Sequence, residues 1–169
     1  MTTFTELYER LLKASLGNIL PEELERIKKE NFDPHQLDCL LNPERYAPAI
    51  RIGSCNCSED EKAACAGRCL FDSLYKDADG NISINKELCV GCEDCVKNCR
   101  AKNLIESKDI LPTLNAIHNA DTPVYAMIAP AFINQFSSDV TPGKLRSAFK
   151  KIGFTGMIEV ALFADILTL

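Results

Sequence analysis

The chain has 169 residues, of which 46% are hydrophobic and 25% are charged, with 8 Gly, 8 Pro and no Trp. This composition is typical of a globular protein and excludes a disordered or collagen-like chain. Lys and Arg number 19 against 24 Asp and Glu, which gives a net charge of −5. A broad surface for nucleic acid phosphates is therefore not expected.

Residues 1–50 predict a helical region. Apolar residues at helical spacing run from Phe4 to Leu12, and Gly17-Asn18 forms a stop signal. Further helices are predicted at Pro21 and Pro34, because proline is favoured in the first turn of a helix.

No stretch is long and apolar enough for a bilayer. The first 20 residues carry Glu6, Glu9 and Arg10 between apolar residues at helical spacing, so they lack the continuous apolar core of a signal peptide. The sequence therefore predicts a cytoplasmic protein without a membrane span.

Nine cysteines dominate the chemistry of the sequence, and eight of them lie between residues 55 and 99. The ninth, Cys39, falls on an apolar helical stripe and is predicted to be a buried structural thiol. A secreted protein would use such a cluster for disulfides. The odd count, the expected cytoplasmic location and the close spacing instead favour thiolate ligands for a metal.

The most specific motif is a C-x2-C-x2-C-x3-C run, formed by Cys89, Cys92, Cys95 and Cys99. This is the spacing of bacterial ferredoxins, where the fourth cysteine of the run binds the other cluster of a two-cluster protein. A more irregular group precedes it and consists of Cys55, Cys57, Cys65 and Cys69. Between the two groups, residues 75–87 alternate around Asp79-Gly80 and predict a β-hairpin.

A two-cluster ferredoxin-like arrangement implies crossed sets of ligands. One 4Fe-4S cluster would bind Cys89, Cys92, Cys95 and Cys69, and the other would bind Cys55, Cys57, Cys65 and Cys99. The sequence departs from the usual pattern in two ways. The proline expected after the last cysteine is replaced by Leu70 and Arg100, and the first pair is C-x-C rather than C-x2-C. Zinc bound by four thiolates is the alternative, although zinc ribbons use two separated C-x2-C pairs.

The last part of the sequence predicts a β-α-β unit. Residues 124–129 and 157–161 are the expected strands, and residues 142–151 form the helix between them. The crossover implies a parallel strand pair, which normally lies inside a larger sheet. This segment is therefore expected to be incomplete and to associate through an exposed apolar face.

Four stretches of this segment resemble the start of the catalytic domain of iron-only (FeFe) hydrogenases, namely residues 124–131 (VYAMIAPA), 142–146 (PGKLR), 151–154 (KIGF) and 159–165 (EVALFAD). The order of modules is also similar, since ferredoxin-like cysteine groups precede this domain in that family. The resemblance implies that Ala129, Pro130 and Ala131 line a diiron site. The cysteine motifs that hold the H-cluster have no counterpart here, so the chain is not expected to turn over hydrogen alone, and no catalytic residue is assigned.

The sequence thus predicts an α+β protein with three parts. Residues 1–50 form the helical region, residues 51–108 a two-cluster 4Fe-4S ferredoxin-like domain, and residues 109–169 a partial α/β segment. The predicted function is low-potential electron transfer in an anaerobic setting, with a ferredoxin or hydrogenase-type module as the redox partner. A hydrogenase relative that acts in sensing or iron-sulfur assembly is one alternative, and a zinc-stabilised interaction module is another.

Overall fold

Helices alternate with short strands in the computed structural model, which describes residues 3–119, 121–132 and 135–168. These residues form eight α-helices and three two-stranded sheets, so the predicted α+β class is confirmed. The chain divides into two compact units, Met1–Pro112 and Thr113–Leu169. The boundary predicted at residue 50 lies inside the first unit, and the three-part division stays a prediction.

Three helices open the first unit: α1 (Phe4–Leu16), α2 (Leu20–Ile27) and α3 (Pro34–Leu41). The Thr3 hydroxyl accepts the Glu6 N–H at 3.3 Å, and the Glu6 carboxylate accepts the Thr3 N–H at 2.8 Å. This reciprocal capping box satisfies two N–H groups that a helix start leaves unpaired. The helices predicted around these residues are confirmed, and a short 3-10 turn (Pro43–Arg45) follows α3.

The hydrophobic core of the first unit draws on more than these helices. Its buried members are Phe4, Leu7, Leu11, Ile27, Cys39, Leu40, Ile50 and Leu111. Ile50 belongs to strand β1 (Ala49–Arg51) and Leu111 to helix α6 (Ile110–Asn119). Cys39 is only 1% exposed, as the apolar stripe predicted. The amino-terminal helices therefore share one core with the segments that flank the cysteine region.

Two antiparallel strand pairs frame the cysteines. Strand β1 pairs with β4 (Leu104–Glu106) and so ties the two ends of the cysteine region together. Strands β2 (Leu74–Lys76) and β3 (Ile82–Ile84) form the predicted hairpin, whose turn contains Gly80 at φ +75. The β1–β4 pair was not predicted, because its two short strands are far apart in the sequence and no turn signal connects them, unlike the strands of the hairpin.

The second unit contains one parallel strand pair. Strand β5 (Tyr125–Ile128) pairs with β6 (Gly156–Glu159), with Ala126 opposite Met157. Helix α7 (Pro142–Ile152) connects them and begins where the Thr141 hydroxyl accepts the Lys144 N–H at 3.3 Å. The predicted β-α-β unit is confirmed.

The structure differs from the sequence prediction at both ends of this unit. Helix α8 (Val160–Leu167) begins where the second strand was expected to continue. Helix α6 occupies a stretch that was expected to be a simple link. Apolar side chains of α8 such as Leu162 and Phe163 are exposed, and the predicted association through this segment stays a prediction. None of the described helices is long and apolar enough to cross a membrane.

Replacing Leu11 in the core with alanine tests the shared core. Leu11 is fully buried, so Leu11→Ala is expected to lower the free energy of unfolding by about 2–5 kcal/mol. Denaturant titration followed by circular dichroism measures this loss. Leu16 lies on the same helix but is 60% exposed, so Leu16→Ala is the matched control. A comparable loss in both variants would contradict the assignment of the core.

Candidate metal centre

Two neighbouring cavities in the first unit are lined by the eight clustered cysteines. The Cys69 cavity has a volume of about 380 Å³, and its walls contain Cys69, Cys89, Cys92 and Cys95. The Cys55 cavity has a volume of about 310 Å³, and its walls contain Cys55, Cys57, Cys65, Cys99 and also Cys95. The structure therefore brings together the two crossed sets that the sequence predicted, with Cys95 reaching both. Their role as ligands stays a prediction.

The crossing arises from two helices that present cysteines in the same way. Helix α4 (Glu59–Ala66) carries Cys65 on the wall of the Cys55 cavity, and Cys69 follows the helix on the wall of the Cys69 cavity. Helix α5 (Asp94–Lys97) carries Cys95, and Cys99 follows it on the wall of the Cys55 cavity. Each Cys-x3-Cys pair thus spans from one cavity to the other.

The turns after these helices repeat each other closely. Three residues beyond Cys69 and Cys99, the backbones of Asp72 and Lys102 adopt positive φ values of +52 and +54. Their N–H groups donate to the carbonyls of Cys69 and Cys99 at 3.3 and 3.2 Å. Both turns form without the proline that usually follows the last cysteine.

The loop from Cys89 to Cys92 is shaped by its own backbone. Gly91 has φ +71, and a Cβ there would lie 3.1 Å from the Cβ of Pro48. Glu93 then adopts φ +63 just before α5. These left-handed residues turn the chain sharply, and the Cys89 N–H is fixed by the Asn85 carbonyl at 3.1 Å.

Both cavities receive a backbone hydrogen bond from the β2–β3 hairpin. The Ser73 N–H donates to Cys69 Sγ and the Ile82 N–H donates to Cys55 Sγ, each over 3.4 Å. The Asn81 side chain also accepts the Cys55 N–H at 2.8 Å. None of these three hairpin residues was predicted from the sequence to belong to a cysteine site. The turn signal at Asp79-Gly80 lies near them, and it indicates a hairpin rather than a contact with a distant cysteine.

The two cavities differ in their surroundings. The Cys69 cavity is rich in apolar side chains, namely Leu70, Phe71, Leu74, Ile84 and Val90. The Cys55 cavity is rich in charged side chains, namely Asp60, Glu61, Lys62, Arg68 and Arg100. Arg100 and Glu61 form an ion pair of 2.7 Å on its wall.

Burial and neighbouring thiols raise the pKa of cysteines that line the cavities. Burial raises the pKa of Cys95 to about 11, and the neighbouring Cys89 adds to this shift. Burial also raises the pKa of Cys65, and the neighbouring Cys99 thiol raises it further. A positive charge between the sulfur atoms would offset both effects, since metals bind the thiolate form.

Among residues 3–119, 121–132 and 135–168, no three His, Cys, Asp or Glu side chains converge closely enough to hold a single metal ion. The eight clustered cysteines instead line the walls of the Cys69 and Cys55 cavities. A structural zinc ion needs every sulfur at about 2.3 Å from one point. The described cysteines do not show this convergence on one point.

In the second unit, Ala129, Pro130 and Ala131 follow strand β5 and are exposed. The described residues of this unit bring no cysteine near them, because the sequence has none after Cys99. The role that the resemblance implied for them stays a prediction.

Comparison with known proteins gives a match to a family model and a match to a curated relative. Residues 122–169 match the family model of the iron-only hydrogenase large subunit, C-terminal domain. The thiosulfate reductase electron transfer subunit PhsB of Salmonella typhi is 28% identical over 82 residues, which cover 48% of this chain and 40% of that protein. The chain thus spans less than half the length of this curated relative. No solved structure matches the chain significantly.

Alkylation of the metal-free protein tests the placement of the thiols. Burial raises the pKa of Cys39 to about 11, which lowers its thiolate fraction about 100-fold near neutral pH. Cys39 should therefore react with iodoacetamide far more slowly than the exposed Cys92. Peptide mass spectrometry after timed labelling gives the rates, and unfolding in urea should remove the difference. Equal rates in the folded protein would contradict the structure.

Proposed function

We propose that the chain is an iron-sulfur protein that holds two 4Fe-4S clusters and relays single electrons to and from a redox partner. The observation that carries this proposal is the distribution of eight cysteines over the walls of two adjacent cavities. The sets are those expected for crossed ligation by two cysteine groups.

The cysteines would divide between the clusters as the cavity walls divide them, and Cys95, which lies on both walls, would belong with Cys89 and Cys92 by its spacing. Cys69, Cys89, Cys92 and Cys95 would hold one cluster, and Cys55, Cys57, Cys65 and Cys99 the other. Each cluster would then bind both cysteine groups, so that neither group could form its site without the other. Crossed ligation would make the segment between residues 55 and 99 a single folding unit in the loaded protein.

The donor set supports clusters of several irons. All eight donors are thiols, and the described cysteines do not meet at one point as zinc would require. When bound, each cluster supplies a one-electron carrier whose potential depends on hydrogen bonds to sulfur, net charge and solvent exposure. The N–H groups of Ser73 and Ile82 supply such hydrogen bonds, one in each cavity.

The surface position of the Cys69 cavity supports exchange of electrons with another protein. Cys92 is exposed, and the neighbouring Leu70 and Val90 are 92% and 58% exposed. The chain therefore leaves little protein between this cavity and an approaching redox centre. The similarity to an electron transfer subunit supports the same class of function, and the match to a hydrogenase domain supports a hydrogenase-type module as the kind of partner.

Iron and acid-labile sulfide analysis after anaerobic purification is the direct test. About eight irons and eight sulfides per chain are expected, with EPR signals of two interacting centres after dithionite reduction. About four of each would restrict the function to one cluster. Zinc without sulfide would overturn the proposal in favour of an interaction module, and clusters that change partner binding without exchanging electrons would favour sensing.

Cysteine substitutions distinguish cluster ligands from cysteines that lie outside the cavities. Cys69→Ser is expected to lower the iron content from about eight to about four per chain, because it removes one ligand of the Cys69 cavity. Cys39→Ala is the control, since Cys39 lies in the hydrophobic core and in neither cavity. Iron content and EPR are measured for both. Unchanged iron in the Cys69 variant would contradict the ligand assignment.

A further inference from the structure

We propose that Asn81 is the positioning residue of the Cys55 cavity, holding the Cys55 loop in the conformation that its sulfur needs to bind a cluster. The inference rests on the proposed function and adds to it a residue outside the cysteine motifs. Asn81 lies 26 positions from Cys55 in the sequence, yet its Oδ1 accepts the Cys55 N–H at 2.8 Å. The adjacent Ile82 N–H donates to Cys55 Sγ at 3.4 Å.

The Cys55 loop lacks local means of fixing its own shape. Residues 52–58 belong to no helix or strand, and the C-x-C spacing leaves one residue between Cys55 and Cys57. The loop is instead held from distant points. The Asn103 amide donates to the Ser54 carbonyl at 2.6 Å, while Asn81 binds the next residue. Side-chain amides thus supply the partners that regular structure would provide.

Asn81 is itself rigidly held by the hairpin turn. The Asp77 carboxylate accepts the N–H groups of Asn81 and Asp79 at 2.8 and 3.1 Å. Its second oxygen accepts the Ser83 hydroxyl at 2.8 Å and pairs with Arg51 at 3.3 Å. The Asp77 N–H also donates to the Asn81 carbonyl at 2.9 Å. The turn therefore holds the backbone that carries the side-chain acceptor of the Cys55 N–H.

This contact distinguishes the two cavities. In the Cys69 cavity the corresponding N–H···S bond comes from Ser73, whose hydroxyl is bound to the Asn85 carbonyl at 2.9 Å. Cys69 follows helix α4, whereas Cys55 lies in an irregular loop. Loss of the Asn81 amide should therefore affect one cluster and leave the other unchanged.

The direction of the effect follows from charge. An N–H that donates to a cysteine sulfur stabilises the more negative, reduced cluster and so raises the reduction potential. Without Asn81 the Cys55 loop loses its anchor, and the Ile82 N–H no longer meets a fixed sulfur. The cluster in the Cys55 cavity should then have a lower potential and be lost more readily.

The test compares three variants of the full chain, loaded anaerobically. Asn81→Ala should increase the rate of cluster loss in air about tenfold or more for one of the two centres, and should lower the potential of that centre in an EPR-monitored redox titration. Asn81→Asp keeps an acceptor oxygen and should restore most of the cluster retention, although its charge also lowers the potential. Tyr75→Phe removes a hydroxyl from the same hairpin, at a residue that is 50% exposed and lines neither cavity, and should leave both centres unchanged.

Several results would overturn the inference. If Asn81→Ala kept both centres with wild-type lability and potential, the inference would fail while the two-cluster function stood. Equal loss of both centres would mean that Asn81 supports the hairpin rather than Cys55. Wild-type protein without iron and sulfide would refute the proposed function and the inference together.

Hydrogen exchange supplies a measurement that does not depend on the folding of a variant. In the wild-type protein, the Cys55 amide should exchange slowly, because its hydrogen is bound to Asn81. Mass spectrometry of the peptide that contains Cys55 reports this protection. Exchange at the rate of an unbonded loop amide would contradict the contact.

Discussion

Each cysteine cavity takes its walls from both ends of the segment between residues 55 and 99, and the rest of the first unit depends on this requirement. Local structure alone cannot bring these residues together. Cys69 lines the same cavity as Cys89, and Cys99 lines the same cavity as Cys55. Closing such long loops costs conformational entropy that other contacts must offset. The β1–β4 pair joins the ends of the segment, and Ile50 and Leu111 anchor its flanks in the hydrophobic core.

The hairpin at the middle of the segment links the two cavities. Its first strand begins after Ser73, which donates to Cys69 Sγ, and its second strand begins at Ile82, which donates to Cys55 Sγ. Antiparallel pairing fixes the distance between these strands. The hairpin thereby sets the relative position of one cysteine from each cavity, and a shift of its register would displace both N–H donors.

The features predicted from sequence are those encoded over short distances. The capped helix at Phe4, the hairpin around Gly80 and the β-α-β unit each carry a stop signal, a turn signal or a periodicity. The crossed grouping of cysteines followed from their spacing, and the same cysteines line the two cavities, with Cys95 on both walls. Their grouping as ligands stays a prediction. The β1–β4 pair and the contacts of Asn81 and Asn103 could not be predicted, because short strands without a connecting turn and single amides leave no pattern in the sequence. Helix α8 replaced the end of a predicted strand, since an apolar run does not distinguish strand from helix.

The loops of the two cysteine groups have their conformations fixed by different kinds of contact. The Cys89 loop is turned by left-handed residues within its own sequence, Gly91 and Glu93, so its conformation is encoded locally. The Cys55 loop has a spacing too tight for that geometry, and Asn81 and Asn103 hold it from outside. The regular motif is therefore shaped by its own residues, whereas the irregular motif depends on contacts with the hairpin and with the residue that precedes β4. The tight C-x-C spacing of the first group is thus accompanied by tertiary contacts to Asn81 and Asn103, whereas the Cys89 loop has left-handed residues of its own.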